Sequence, residues 1–264
     1  MHSLEGFSPM ELNTHLTRFM ESEKDKYRAD ILMYICLEIQ RYLGTCGHVS
    51  NIFIHSQYTE ARRKLNECAL SSLNCDNNYI RTSCVSENYL WESGHLNIQS
   101  PYALLWTVVY YILKNFKLPT VEEHTLLELR NLSKNLIYSS IPGVELLHAY
   151  YYFEPNGLGD YNCIHELAPN RSNISRCPFK IMEFYLSKSP PSTRRSSFFY
   201  LKPVANYQDS EYWFEPEPLP TQGLSQIINR FKMVYEIMDI FMTDGVARFV
   251  PWEIPMPFVN SLVR

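Results

Sequence analysis

An apolar segment that follows Ser100-Pro101 constrains the fold of this chain more than any other feature of the sequence. Its apolar residues surround the helical axis, so a helix from Tyr102 to Phe116 must be buried on nearly all sides. The segment is shorter than the roughly 18 apolar residues of a membrane span, and we predict a buried helix instead. With 264 residues, of which 45% are hydrophobic, the chain can build the required core in one elongated domain or two lobes.

Helical periodicity dominates the first third of the chain. Ser8-Pro9-Met10-Glu11 combines a capping serine, a proline suited to the first helical position and a reciprocal glutamate, and predicts that a helix begins there. Its apolar stripe is Leu12, Leu16 and Phe19. The same spacing predicts helices from Ile31 to Leu43 and from Tyr58 to Leu70. Residues 71–88 are rich in Ser and Asn and predict a linker, which closes a helical N-terminal lobe over residues 1–88.

The remainder mixes the two periodicities and predicts a second, α/β lobe over residues 89–248. Helices are predicted from Val121 to Leu132, Phe179 to Leu186 and Gly223 to Phe241. Strands are predicted at residues 144–154, 161–167, 196–201 and 211–214. The expected fold class is therefore α+β, mostly α.

The last stretch, residues 249–264, is apolar but interrupted by three prolines, so it can be neither helix nor central strand. We expect it to dock as an extended segment on its own body or on a partner. The candidate docking residues are Phe249, Val250, Trp252, Ile254, Met256 and Phe258.

Charge and cysteine content argue against several classes of function. The net charge of −4 argues against tight nucleic-acid binding as the default, since such binders carry a concentrated basic face. Seven cysteines without CxxC pairs are typical of reduced thiols in the cytosol or nucleus. Cys163, His165 and Cys177, with His148, could be imagined as metal ligands, but their spacing matches no zinc signature, and we predict neither metal nor cofactor.

Two short clusters of cations are the candidates for DNA contact. The first, here called the basic edge, is Arg62-Arg63-Lys64 on the third predicted helix. The second, the basic loop at about residues 188–202, carries Lys188, Arg194, Arg195 and Lys202. Short charge runs usually face water without a ligand, and a solvated turn is the competing interpretation of the loop.

An ordered series of segments resembles one known family. Among them are Ile39-Gln-Arg-Tyr-Leu, Leu90-Trp-Glu-Ser-Gly-His-Leu, Ser100-Pro-Tyr-Ala-Leu-Leu, Arg176-Cys-Pro-Phe-Lys-Ile-Met-Glu-Phe-Tyr-Leu and Arg230-Phe-Lys-Met-Val. The series resembles the C-terminal domain of the MYM-type zinc-finger proteins, their glutamine-rich relative and insect Woc. The resemblance implies descent from the tyrosine recombinase of Crypton transposons, and hence a degenerate recombinase-like architecture. The family's MYM zinc fingers are absent from this sequence, which leaves open a fragment or a short relative.

Recombinase chemistry needs two arginines around the phosphate, together with Lys, His and a nucleophilic tyrosine. The resemblance implies that the first arginine position is occupied by Pro119, which cannot donate to a phosphate. The sequence has one His-x-x-Arg, from His15 to Arg18, and it precedes the second lobe. Tyr235 lies on a helical face spaced for burial. Glu122-Glu123-His124 could suggest acid/base chemistry, but neighbouring residues of a helix point in different directions, which favours a solvated helix start.

We therefore predict that the chain is not an enzyme. The leading hypothesis is a non-catalytic protein-interaction module of a nuclear chromatin or transcription regulator, with nuclear proteins as partners. DNA binding without strand cleavage is the alternative, and self-association through the aromatic surplus is a further one. No membrane association is expected.

Overall fold

The computed structural model of the chain describes residues 6–48, 50–73, 83, 85–137, 148–153 and 166–238. The chain packs into two compact units, one of residues up to Leu96 together with the segment from Asn229, and one of residues 97–228. This division differs from the two lobes predicted from the sequence, which were residues 1–88 and 89–248, because the segment from Asn229 belongs to the first unit. Within the described ranges, no helix has both the length and the apolar character that crossing a bilayer requires.

The first unit is helical. Its helices are α1 Pro9–Glu23, α2 Ala29–Thr45, α3 Thr59–Leu73 and α4 Glu87–Glu92, joined later in the chain by the end of α8 Thr221–Phe231 and by α9 Tyr235–Met238. The predicted capping box at Ser8 and Glu11 is confirmed, and α1 begins there. Its buried stripe is Leu12, Leu16 and Met20, because a spacing of four keeps residues on one face, whereas Phe19 is only half-buried. Helices α1 and α2 both pack on α3.

A returning segment closes this unit. The amide of Tyr235 donates to the carbonyl of Val85 at 2.8 Å, and Val85 forms a parallel bridge with Val234. The Ser83 hydroxyl donates to the carbonyl of Met233. This pairing interrupts the helix predicted from Gly223 to Phe241, which ends as α8 at Phe231 and resumes as α9.

The second unit is built around the predicted buried helix, which is confirmed as α5 Pro101–Phe116. Its other elements are α6 Val121–Thr125, α7 Pro178–Ser187, the beginning of α8, β1 Leu132–Ile137, β2 His148–Phe153, β3 Glu166–Leu167, β4 Leu201–Pro203 and β5 Phe214–Pro218. Helix α5 begins at the Ser100 cap and ends at Lys117, whose φ of 53° is left-handed. It packs against α7, β3 and β4, so the core of the unit lies along its axis.

Two antiparallel sheets complete the unit. The larger has the order β1-β2-β3 and pairs Leu132 with Phe153 and Ile137 with His148. The smaller pairs β4 with β5, and its irregular register accommodates the prolines that a two-stranded ribbon tolerates.

Several predicted boundaries were wrong. The helix predicted from Val121 to Leu132 ends at Thr125, because Leu129 and Arg130 donate their amides to the carbonyls of Phe198 and Ser196 and β1 follows. The strands predicted at residues 196–201 and 211–214 lie further along the chain, as β4 and β5. Helix α4 was not predicted, although Ser86 caps it.

Candidate interaction surface

A group of half-buried aromatic rings lies at the end of α7, and we call it the aromatic patch: Phe184, Tyr207 and Trp213. The Trp213 ring makes edge contacts with Phe184 at 5.5 Å and with Tyr207 at 5.3 Å between centroids. The chain is fixed at this point because Trp213 donates its amide to the carbonyl of Lys188 at 2.8 Å and accepts from the amide of Val204 at 2.9 Å. The three rings are thus held in position while part of each remains exposed to solvent.

Lys188 adds a cation to these rings. Its Nζ lies 4.9 Å from the ring centroid of Trp213 and 5.8 Å from that of Phe184, within the range of cation–π attraction. In the described part of the chain this ammonium forms no ion pair with a carboxylate. The surface therefore presents aromatic area and a positive charge at one place.

The rest of the basic loop continues this positive character. Pro191–Arg195 forms a 3-10 turn in which Arg194 and Arg195 are exposed. One Nη of Arg194 donates to the carbonyl of Leu186 at 2.7 Å, which ties the turn to the end of α7. Among the described residues neither arginine contacts a carboxylate. Lys202 differs, since its Nζ pairs with Glu215 at 2.6 Å and with Glu217 at 3.4 Å on β5.

The basic edge on α3 is neutralised by acidic neighbours. Arg63 pairs with Glu60 at 3.0 Å and with Glu67, while Lys64 pairs with Glu67 at 3.1 Å and with Glu21. Hydrogen bonds from Lys24 and Lys64 lower the pKa of Glu21 to about 2, so it stays charged at neutral pH.

Arg62, the third cation of the basic edge, points into its own unit. One Nη donates to the carbonyl oxygens of Ile54 at 2.6 Å and Phe53 at 3.2 Å. The guanidinium is therefore used to hold the segment ahead of α3, and it offers little to an external phosphate.

The first unit also brings a histidine near two arginines, a group that was not predicted from the sequence. Burial and then the charge of Arg62 lower the pKa of Arg230 to about 9, and burial and then Arg230 lower the pKa of His95 well below its ordinary value. His95 is 2% exposed and its ring lies edge-on to Phe53 at 4.7 Å. No His-x-x-Arg spacing marks this group, because its members lie on α3, after α4 and at the end of α8.

The surroundings of these cations differ from those of a phosphoryl-transfer site. Tyr58, in the same unit, is 1% exposed, and its hydroxyl is 3.0 Å from that of Ser50. Tyr235 is half-buried. His15 and Arg18 are exposed on α1, and Pro119 lies between α5 and α6.

The helix start predicted at Glu122-Glu123-His124 is confirmed, but the predicted solvation is complete only at Glu122. Glu123 completes a capping box with Thr120, while His124 is fully buried. Its Nδ1 lies 2.6 Å from the Tyr200 hydroxyl and its Nε2 lies 3.1 Å from the Leu118 carbonyl oxygen. Because a carbonyl can only accept, Nε2 carries the hydrogen and Nδ1 accepts from Tyr200. Burial lowers the pKa of His124 to about 4, so the ring is a neutral structural link.

The remaining candidates give no metal site in the described part of the chain, where no cluster of three or more His, Cys, Asp or Glu could hold a metal ion. Cys177 is buried and its Sγ accepts from the amide of Asn170 at 3.2 Å. Cys163, His165 and the docking residues Phe249, Val250, Trp252, Ile254, Met256 and Phe258 lie outside the described residues.

Comparison with known proteins gives consistent matches. The family described as "Domain of unknown function (DUF3504)" matches residues 81–233, and the QRICH1 domain matches residues 3–71. Zinc finger MYM-type protein 3 of Homo sapiens is 33% identical over 255 residues, covering 88% of this chain and 18% of that protein. Zinc finger MYM-type protein 2 of Mus musculus is 32% identical over 253 residues, with 87% and 18% covered.

A third relative is the transcriptional regulator QRICH1 of Homo sapiens, 31% identical over 230 residues, which are 82% of this chain and 29% of that protein. The chain thus spans less than a third of the length of these relatives. No solved structure matches it significantly. Ser83 and Met233, which lie near the two ends of the DUF3504 match, are hydrogen-bonded to each other. With more than half of its length matched, the chain belongs, as predicted, to the DUF3504 family, together with the zinc finger MYM-type proteins and QRICH1.

Proposed function

We propose that this chain is a non-catalytic protein-interaction module of a nuclear chromatin and transcription regulator, derived from a tyrosine recombinase. The observation that carries the proposal is the aromatic patch, in which Trp213 is half-buried and lies under the ammonium of Lys188, which has no carboxylate partner among the described residues. Tryptophan, tyrosine and arginine dominate the binding energy of protein interfaces, and this surface presents all three.

The nuclear and regulatory parts of the proposal come from the relatives. QRICH1 is named a transcriptional regulator, and it is 31% identical to this chain over 230 residues. Its partners would then be chromatin and transcription proteins. The recombinase ancestry and the recombinase-like, mostly α architecture come from the sequence resemblance alone.

Loss of catalysis is supported by how the available cations are used. Arg62 is bound to backbone carbonyls, and His95 and Arg230 are 2% and 5% exposed. A phosphodiester in duplex DNA is too large to enter such a buried group. A covalent adduct between DNA and a tyrosine of this chain would contradict this part of the proposal.

The test is capture of partners from nuclear extract, with and without nuclease, by the wild-type chain and by Trp213→Ala and Lys188→Glu. We expect both substitutions to reduce capture at least tenfold in the presence of nuclease. Tyr102→Ala is the matched control, since Tyr102 is also a half-buried aromatic residue of the second unit but lies outside the patch. Circular dichroism verifies folding, and capture that both patch variants retain would overturn the proposal.

DNA binding without cleavage is the second candidate, favoured by the lack of carboxylate partners for Lys188, Arg194 and Arg195 in the described chain. Three phosphate contacts would give a slope of about −2.7 in log affinity against log salt concentration. Electrophoretic shift of duplex DNA at low salt, lost in Arg194→Ala/Arg195→Ala, would support it. The absence of a shift at low salt would exclude it.

A further inference from the structure

The basic loop contains four hydroxyl side chains close to its two arginines, and the structure distinguishes one of them. Thr193 is 2% exposed and its hydroxyl donates to the carbonyl of Pro190. The half-buried Ser196 donates its hydroxyl to the carbonyl of Phe198 at 2.7 Å. Ser192 is exposed but precedes the arginines. Ser197 is exposed, follows them, and has a hydroxyl that makes no hydrogen bond within the described chain.

From this arrangement we infer that Ser197 is a phosphorylation site for an arginine-directed serine/threonine protein kinase. Arg194 and Arg195 stand three and two residues ahead of the hydroxyl, and both are exposed. A kinase that selects basic substrates presents carboxylates to such positions, and guanidinium groups bind carboxylates through paired hydrogen bonds. The arginines therefore supply recognition while the free hydroxyl supplies the acceptor.

The local backbone permits access to a kinase. Ser196 leaves the 3-10 turn with extended dihedrals of −73° and 151°. Two backbone hydrogen bonds flank Ser197, from Arg130 to the Ser196 carbonyl at 3.3 Å and from Leu129 to the Phe198 carbonyl at 3.4 Å. Bonds of this length are at the weak end of the range, so the loop can lift locally while the buried Phe199 remains in the core.

The reaction is an ordinary phosphoryl transfer from ATP. The Ser197 oxygen forms a bond to the γ-phosphorus, the bond from that phosphorus to the β,γ-bridging oxygen breaks, ADP leaves, and the hydroxyl proton passes to the base of the kinase. The phosphate adds between −1.5 and −2 charges at neutral pH. Beside Arg194 and Arg195 it would neutralise most of the positive charge of the basic loop.

The test uses the purified full chain, the catalytic subunit of cAMP-dependent protein kinase and Mg·ATP, with peptide mapping by mass spectrometry. We expect phosphate on Ser197, at an unchanged level in Ser196→Ala and in Ser192→Ala. Ser197→Ala should remove it from the loop, and Arg194→Ala/Arg195→Ala should slow its incorporation at least tenfold. Ser133 is an internal comparator, because Arg130 stands three residues ahead but the residue is paired with Tyr152 in the sheet, and no phosphate is expected there.

The inference would be overturned if the phosphate were found on Ser192 or Ser196 instead of Ser197. It would also be overturned if Arg194→Ala/Arg195→Ala incorporated phosphate as fast as the wild type, or if the folded chain incorporated none. The kinase reaction does not depend on the proposed function. If the Trp213 and Lys188 variants still capture partners, the interaction proposal fails while the mapping of Ser197 stands, so the two failures are distinguishable.

Discussion

The basic edge on α3 contains three cations and the basic loop after α7 contains four, yet the two groups differ in how many carboxylates surround them. At the edge, Arg63 pairs with Glu60 and Glu67, and Lys64 pairs with Glu21 and Glu67. In the loop, Lys188 lies over aromatic rings, and in the described chain neither it nor Arg194 nor Arg195 meets a carboxylate. A count of cations along a sequence therefore does not give the field at the surface.

The difference follows from local geometry. Within a helix, residues three and four apart are neighbours, so Glu60 and Glu67 reach Arg63 from both sides. A short 3-10 turn followed by extended backbone offers no such neighbours to Arg194 and Arg195. Cations in a turn thus keep their charge available for a partner, whereas those in a mixed helix are used internally.

The largest effect we expect is a dependence of the free energy of unfolding on pH, caused by His124, which contacts Tyr200 in the basic loop. His124 has a pKa of about 4 in the folded chain and about 6.5 when unfolded, so the unfolded state takes up its proton first. Stability from the neutral ring is complete above pH 6.5 and falls as pH decreases towards 4, by about 3 kcal/mol in total. Urea unfolding of the whole chain between pH 7.5 and 4.5 measures this loss.

His124→Gln provides the control for this titration. The glutamine amide can still accept from Tyr200 and donate to Leu118, but it does not titrate. Its free energy of unfolding should vary less with pH than that of the wild type, although the buried His95 leaves some dependence in both. Parallel pH profiles would show that His124 is not the group responsible.

A second test removes one oxygen that holds the end of the basic loop. The Tyr185 hydroxyl is buried, donates to the carbonyl of Phe199 at 2.8 Å and accepts from the amide of Leu201 at 3.1 Å. Tyr185→Phe leaves both backbone groups without this partner, and we expect a loss of about 1 to 3 kcal/mol in denaturant unfolding. Tyr207→Phe is the control, because its hydroxyl makes no hydrogen bond in the described chain and should change stability by less than about 0.5 kcal/mol.

The sequence predicted this contrast only in part. Capping at Ser8, the buried character of α5 and the helical position of the basic edge all follow from local rules, and these predictions were correct. The acids at the edge could also have been found from the spacing of Glu60 and Glu67, but Glu21 comes from another helix. The aromatic patch depends on Trp213 meeting Lys188 across a turn, and no local pattern specifies a contact between residues 25 positions apart.

A smaller loss of stability is expected when the cation–π contact at the aromatic patch is removed. Lys188→Met keeps the apolar stem and removes the ammonium above Trp213. We expect a loss of about 0.5 to 1 kcal/mol in unfolding free energy and a shift in tryptophan emission. Lys24→Met, an exposed partner of Glu21, should leave the emission unchanged. An equal response in the two variants would argue against the contact.

A change in DNA affinity, and not in stability, is expected when the basic edge is given electrostatic surroundings like those of the basic loop. Glu21→Gln/Glu67→Gln removes two of the three carboxylates around Arg63 and Lys64. If these acids are what suppress phosphate binding, affinity for duplex DNA at low salt should rise about threefold to tenfold, with one additional phosphate contact in the salt dependence. Glu122→Gln/Asp25→Asn changes the net charge equally without touching either cation, and should have less effect. If the two double variants bind DNA with the same affinity, the affinity depends on the net charge of the chain and not on the carboxylates that pair with Arg63 and Lys64.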